Sequence, residues 1–310
     1  MTSNSMTGNT FLEWRKKMLR KGGRKIDFDW LLDIAGGLSW SKLQNIILHP
    51  DQSFPLGIST EEIEVIWTTH LKDQAPLQYL ISKCPWRNFE LEVSSEVLIP
   101  RQETEFLIDF ALKKVANSKA GRWADLGTGS GPLAISLAKC LPSWEGHAID
   151  ISRDALLLAN RNLKSLVPNS NVKLSLGDWW EPLREWWGSF DLVLSNPPYI
   201  PSDLIEDLDP SVKNHEPRIA LDGGSDGMIA SKKIISGALN GLAKGGWLII
   251  EHHYDQSEKI IKFMKDIGME EVSFEAPPPT SKKLAGSFPY NLIISIVAIA
   301  KPAPLTIQPI

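Results

Sequence analysis

From residue 102 onward, short apolar runs alternate with amphipathic stretches, and this alternation restricts the fold more than any other feature of the chain. "RWADLG", "GHAID", "VKLSLGD", "FDLVLSN" and "GGWLIIEHH" read as strands. "QETEFLIDFALKKVA", "PLAISLAKCL", "SRDALLLANRNLKSL", "GMIASKKIISGALNGLAK" and "SEKIIKFMKDIG" read as helices, with apolar residues three and four apart. Pro132 stands in a first helical turn, where its missing N–H costs nothing. Two late β segments are expected at 270–275 and 291–299, the second inside the apolar run "LIISIVAIA". Strands alternating with helices of this length predict a mostly parallel, doubly wound α/β sheet.

The preceding residues read differently. Over 11–75, "FDWLLDIAGGLSW" and "SKLQNIILHP" carry helical periodicity, and Ser59 stands three before Glu62 in a capping-box pattern. This predicts a small all-helical domain over 1–75. "WRNFELEVSSEVLIP" has β character and reads as a hairpin within a linker over 76–100. The α/β domain then spans 101–302, with "APPPTSKK" as a loop and 303–310 as a loose tail.

Composition excludes several classes. The 310 residues carry a net charge of −4, so a general affinity for nucleic-acid backbone is not expected. The two cysteines, Cys84 and Cys140, are far apart, which argues against a disulfide scaffold or a cysteine zinc site and fits a reducing cytoplasm. No apolar run approaches the roughly 18 residues of a membrane span. The basic stretch "FLEWRKKMLRKGG" reads as a first domain helix closed by Gly22 and Gly23 rather than as a targeting segment. Adjacent His252 and His253 point to opposite faces of a strand, so no metal site is expected.

Three stretches at the ends of successive predicted strands carry chemistry. "DLGTGSGPL" is a strand-to-helix turn in which Gly127, Gly129 and Gly131 permit tight backbone and close ligand approach. It is neither the G-x-G-x-x-G dinucleotide fingerprint nor a P-loop. Asp150 ends the next strand, where a carboxylate either accepts from both hydroxyls of a ribose or caps a helix. Asp178 and Trp179 end the third; the indole either covers an adenine face or packs internally, and Asp178 can accept from an exocyclic amine. Open α/β sheets bind ligands at this edge, which favours a nucleoside pocket.

"SNPPYIP" follows the fourth strand. Its prolines stiffen the backbone and leave carbonyl acceptors without donors. Such a turn can hold a rigid pattern of acceptors at the mouth of the sheet.

"DLGTGSG", then Asp150, then "NPPY" resembles the class I S-adenosylmethionine-dependent methyltransferases. With "PLQYLI", "VLIPRQETE" and "EPRIALDGGSDG", the chain is similar over nearly its whole length to the HemK/PrmC-type protein-(glutamine-N5) methyltransferases. Departures fall at Gln102, where a second proline is usual, at His253, where glycine is common, in "ISKCPWRNFE" and in "LAGSFPYNL". The resemblance implies a Rossmann-like methyltransferase fold and S-adenosylmethionine held by Gly127, Thr128, Gly129, Ser130, Gly131, Asp150, Trp179 and Asn196. It assigns catalysis to Asn196, Pro197 and Tyr199, and substrate binding to these with Pro198. A planar amide nitrogen is a poor nucleophile, and the implied roles answer that: the Asn196 side-chain oxygen and the Pro197 carbonyl would accept from its N–H bonds with a sulfonium methyl in line, and Tyr199 would pack against the flat amide or the cationic donor. The implied substrate is the glutamine of the Gly-Gly-Gln motif of class I peptide chain release factors, docked by the helical domain and hairpin. The enzyme would act as a cytoplasmic monomer without nucleic acid. Arg101 falls beside the implied active site, and "EPRIALDGGSDG" reads as a brace or as a substrate contact. An adenine-N6 methyltransferase is the alternative, since an exocyclic amine poses the same chemical problem, but the acidic balance disfavours it.

Overall fold

The computed structural model describes residues 5–275 and 295–302. The readings of "APPPTSKK" as a loop, of "LAGSFPYNL" as a departing segment and of 303–310 as a tail fall outside the described residues, as do 291–294. Contacts divide the described chain into two units: 5–83 with 210–215, and 84–209 with 216–275 and 295–302.

The first unit is built on α1 (Gly8–Arg20), α2 (Lys25–Ile34), α3 (Trp40–Leu48), α4 (Thr60–Asp73) and α5 (Leu77–Ile81). Their apolar stripes converge on Phe11, Met18, Phe28, Leu31, Ile63 and Trp67, all fully buried. The predicted capping box opens α4: Glu62 N–H donates to Ser59 Oγ at 3.2 Å, and Ser59 N–H donates to Glu62 Oε2 at 2.8 Å. Helix α4 ends at Asp73, near Pro76 as expected, but what stops it is Gln74, a C-cap residue in the left-handed conformation with φ of 55°. The unit also holds a two-stranded antiparallel ribbon of β1 (Ser5–Thr7) and β2 (Ser53–Pro55), where only helices are expected from the sequence. Strands this short show no periodicity, and β1 lies in the polar stretch before the first helix.

At the start of the second unit stands the hairpin of β3 (Lys83–Trp86) and β4 (Phe89–Glu92), displaced from the predicted one: of the β segment expected over 86–100, only Trp86 and β4 are strand, and 93–100 is not. Then follow α6 (Glu105–Lys114), β5 (Arg122–Leu126), α7 (Pro132–Cys140), β6 (Glu145–Asp150), α8 (Arg153–Leu166), β7 (Val172–Leu176) and β8 (Phe190–Ser195). Helix α9 (Pro210–Lys213) belongs to the segment grouped with the first unit. The chain continues through α10 (Ile229–Gly241), β9 (Leu242–His253), α11 (Ser257–Asp266), β10 (Met269–Glu275) and β11 (Ser295–Pro302). The sheet order is β10-β11-β9-β8-β5-β6-β7. Its five strands β9 to β7 run parallel, and β11 and β10 are antiparallel. This is the Rossmann-like doubly wound sheet expected from the sequence.

Alternation along the strands sends residues to both covered faces. Trp123, Leu192, Leu194 and Ile249 pack on one side; Ala124, Val193, Leu248 and Ile250 pack on the other. Hydrogen bonds also fix the hairpin to α8 and, through it, to the glycine loop. Asn162 of α8 accepts from Glu92 N–H at 2.9 Å and donates to the carbonyls of Glu92 and Ser130, each at 2.9 Å.

Candidate active site

The order of strands places the site. β5 pairs with β6 on one side and β8 on the other, so the winding direction reverses there, and a crevice opens at the carboxyl ends. Leu126 lies opposite Ser195 in the register, and Ser195 Oγ donates to the Leu126 carbonyl at 2.6 Å. The glycine loop and the "NPPY" turn therefore leave the sheet side by side. Both border one cavity of about 290 Å³.

The loop's geometry requires its glycines. Gly127, Gly129 and Gly131 have φ of 79°, 56° and 90°, a region that side chains rarely adopt. The N–H groups of Gly127 and Thr128 both donate to the Ile149 carbonyl, at 2.9 and 2.8 Å, tying the loop to β6. Beneath it, Asp125 Oδ2 accepts from Thr128 Oγ1 at 2.7 Å and from Ala134 N–H at 3.2 Å. Burial pushes the Asp125 carboxyl up to about 7. A Cβ on Gly127 would stand 3.0 Å from the Trp179 ring, so the indole lies against the loop. Trp179 itself has φ of 51°, an uncommon conformation for a bulky residue and one that tends to be kept at functional sites.

Asp150 reaches the loop directly. Its Oδ2 accepts from Gly129 N–H at 2.8 Å and its Oδ1 from Ser152 N–H at 2.9 Å. Burial raises its pKa above the ordinary carboxylate value. A carboxylate has about four lone-pair sites, so acceptor capacity remains for a pair of ribose hydroxyls. Gly127, Thr128, Gly129, Ser130, Asp150 and Trp179 line the cavity, and Gly131, which is not among its lining, is the N-cap residue of α7. Ser130 Oγ is buried there with no hydrogen-bond partner among the described residues. A glycine cradle, a carboxylate with spare acceptor sites, an indole face and an unsatisfied hydroxyl fit a nucleoside-bearing ligand. Asp178 is already engaged, bound to Lys233 Nζ at 2.9 Å, so a contact from an adenine amine would compete with that pair.

The turn divides its residues between two faces. Asn196 and Pro198 line the cavity, whereas Pro197 and Tyr199 are buried and are not part of the lining. The extended segment continues the two-residue alternation of β8, which sends every second side chain inward. Tyr199 is 8% exposed. Its hydroxyl donates to Glu251 Oε1 at 3.4 Å, and its carbonyl accepts from Gln256 Nε2 at 2.9 Å. Instead of lying against the amide or the donor, its ring stands behind the turn.

"EPRIALDGGSDG" braces the turn and also borders the cavity. Ile200 N–H donates to the Leu221 carbonyl at 3.0 Å, and Gly223 N–H donates to the Ile200 carbonyl at 2.8 Å. Pro217, Ile219, Ala220 and Asp222 add to the lining. Arg101, also in the lining, donates to Glu216 Oε1 at 2.7 Å, and Ile99 N–H donates to Glu216 Oε2 at 3.2 Å. Thr104 and Glu216 fall within "VLIPRQETE" and "EPRIALDGGSDG", but nothing in those stretches assigns either a role, and Asn162 and Glu251 do not stand out in the sequence. Their partners lie far away along the chain, and no local spacing marks them.

Residues 102–207 match the model of the methyltransferase small domain family. The chain is 59% identical over 266 residues to the release factor glutamine methyltransferase of Prochlorococcus marinus, a match spanning 85% of this chain and 91% of that one. It is 32% identical to the protein of that name from Synechocystis, over 86% and 92% of the two chains. The chain belongs to the release factor glutamine methyltransferase family. Among solved structures, the hMettl16 catalytic domain in complex with MAT2A 3′UTR hairpin 6 aligns with a TM-score of 0.57 at 15% identity, covering 91% of this chain and 95% of that one, a likeness of fold alone. As a member of this methyltransferase family, the protein uses S-adenosylmethionine as methyl donor, and the donor set around the cavity fits that molecule. Among the described residues, no helix is long and apolar enough to cross a membrane.

Proposed function

We propose that this protein methylates the side-chain amide nitrogen of the glutamine in the Gly-Gly-Gln motif of class I peptide chain release factors, in the cytoplasm and as a monomer. The observation that carries this reading is the adjacency of two unlike half-sites at the switch point of the sheet: a glycine loop with Asp150, and a proline-stiffened turn presenting Asn196. Family membership supports the choice of substrate.

Bound S-adenosylmethionine supplies a methyl group on a positively charged sulfur. In this reading the chain does the rest by placement. The backbone of Gly127 to Gly131 and the Asp150 carboxylate hold the nucleoside, with Trp179 against its flat face. Asn196 Oδ1 and the Pro197 carbonyl accept from the two N–H bonds of the glutamine amide, fixing its nitrogen and favouring the positive charge that grows on it during transfer. Pro198 forms part of the wall beside it. Tyr199 acts from behind, holding the turn through its hydroxyl and carbonyl bonds. The amide proton leaves to water once methylation has made it acidic. The helical unit and the β3–β4 hairpin are the proposed docking surface, and Trp40 and Leu48 of α3, 74% and 73% exposed, offer it apolar contacts.

The test is incubation with labelled S-adenosylmethionine and either a release factor or DNA, followed by mass mapping. One added methyl on the glutamine of Gly-Gly-Gln is the expected result. Label on adenine, with none on the release factor, would establish the amino methyltransferase instead.

A further inference from the structure

Asn196 is held by a side-chain relay that sets which way its amide faces. Its Nδ2 donates to Thr104 Oγ1 at 2.9 Å, and Thr104 Oγ1 donates to Glu251 Oε2 at 2.7 Å. The other oxygen of Glu251 accepts from the Tyr199 hydroxyl, so one buried carboxylate anchors both ends of the "NPPY" turn. The three residues come from the start of α6, the end of β8 and the end of β9. A hydroxyl has a single proton. Thr104 gives that proton to Glu251, so toward Asn196 it can only accept. Asn196 must therefore turn its NH₂ group to Thr104, which leaves Oδ1 as the atom free for the cavity.

We infer that Thr104 and Glu251 are positioning residues that fix Asn196 as a hydrogen-bond acceptor and thereby select an amide NH₂ over a carboxylate in the substrate. The inference rests on the proposed glutamine reading and extends it to the origin of specificity. The local backbone makes no competing demand on Thr104. It has helical φ and ψ of −62° and −20° and makes no side-chain capping bond, and the N–H groups of Glu105, Phe106 and Leu107 already donate to the carbonyls of Gln102, Glu103 and Thr104. Its hydroxyl is therefore left to the relay.

Polarity gives the relay a distinctive signature. In Glu251→Gln the new carboxamide can donate to Thr104. The Thr104 hydroxyl is then free to donate to Asn196, whose amide can reverse and present NH₂ to the cavity. A reversed Asn196 would repel a glutamine amide and welcome a carboxylate.

The experiment measures single-turnover methylation, S-adenosylmethionine affinity, and binding of Gly-Gly-Gln and Gly-Gly-Glu peptides for wild type, Thr104→Val, Thr104→Ser and Glu251→Gln. Thr104→Val is expected to lower the methylation rate about 10- to 100-fold, the loss of one or two hydrogen bonds at the reacting group, with donor affinity within about twofold. Thr104→Ser restores the hydroxyl and should recover most of the rate. Glu251→Gln should narrow the preference for the Gln peptide over the Glu peptide by about tenfold or more. Unchanged rate in Thr104→Val, or loss of rate that serine does not restore, would overturn the inference. So would an unchanged peptide preference in a folded Glu251→Gln. Failure of the wild type to methylate the glutamine would instead refute the proposed function, and the two failures are thus distinguished.

Discussion

The two halves of the cavity are built on opposite principles. The donor half uses backbone: three glycines at positive φ and N–H groups bonded to Ile149 and Asp150, within one stretch of strand, loop, helix and strand. The acceptor half uses side chains from distant segments: Asn196 on Thr104, Thr104 on Glu251, Tyr199 on Glu251 and Gln256. Backbone can cradle a ligand whose identity never changes. Setting the polarity of one acceptor atom takes a directed chain of hydrogen bonds, and such a chain needs partners that only the tertiary fold brings together.

That difference predicts that each half fails in its own way. Asn196→Ala should give the largest effect, a loss of about 10²–10³-fold in methyl-transfer rate at saturating donor, comparable to removing a preorganised transition-state contact. Its donor affinity, by isothermal titration, should weaken only slightly. A large loss of donor binding would mean that the halves are not separable. Asp150→Ala should do the reverse. Removing a carboxylate that accepts from ribose hydroxyls raises the donor dissociation constant about 10- to 100-fold, while the single-turnover rate at saturation stays near wild type. Trp179→Ala should weaken donor binding about tenfold, the low end of base-stacking energies, again without a change in that rate. An effect on rate larger than on affinity would move Trp179 to the acceptor side.

The smallest effect concerns the sheet that both halves share. His147 of β6 is buried against Trp186 and Phe190, and burial depresses its pKa to about 4. The native state therefore refuses a proton that the unfolded chain accepts near 6.5. Stability is fully present above that pH and is lost as the pH falls toward 4. Between pH 7.5 and pH 5, wild type should lose about 1–2 kcal/mol more than His147→Phe in urea unfolding. Equal losses in the two proteins would show that this ring is not kept neutral by the core.

Legibility in the sequence follows the same division. The alternating elements, the capping box at Ser59, the glycine loop, Asp150 and the "NPPY" turn were readable because each is a local pattern whose geometry is set within a few residues. The inward facing of Pro197 and Tyr199 was also latent in the strand's alternation, but the turn's prolines concealed that the extended backbone runs on through them. The roles of Thr104, Glu216 and Glu251 were not readable, although the first two lie within the quoted segments "VLIPRQETE" and "EPRIALDGGSDG". Thr104 sits in an acid-rich helix start that looks like ordinary capping, and its partners are 92 and 147 residues away in the chain. Ser5–Thr7 is too short and polar to announce a strand, and only its pairing with Ser53–Pro55 makes it one.

A crystal structure of the protein with S-adenosylhomocysteine and a Gly-Gly-Gln peptide would test the acceptor clamp at atomic level. The glutamine nitrogen should lie about 3 Å from both Asn196 Oδ1 and the Pro197 carbonyl, with Asn196 Nδ2 still on Thr104. A glutamine bound elsewhere in the cavity, or an Asn196 side chain turned away from it in the ternary complex, would contradict the clamp.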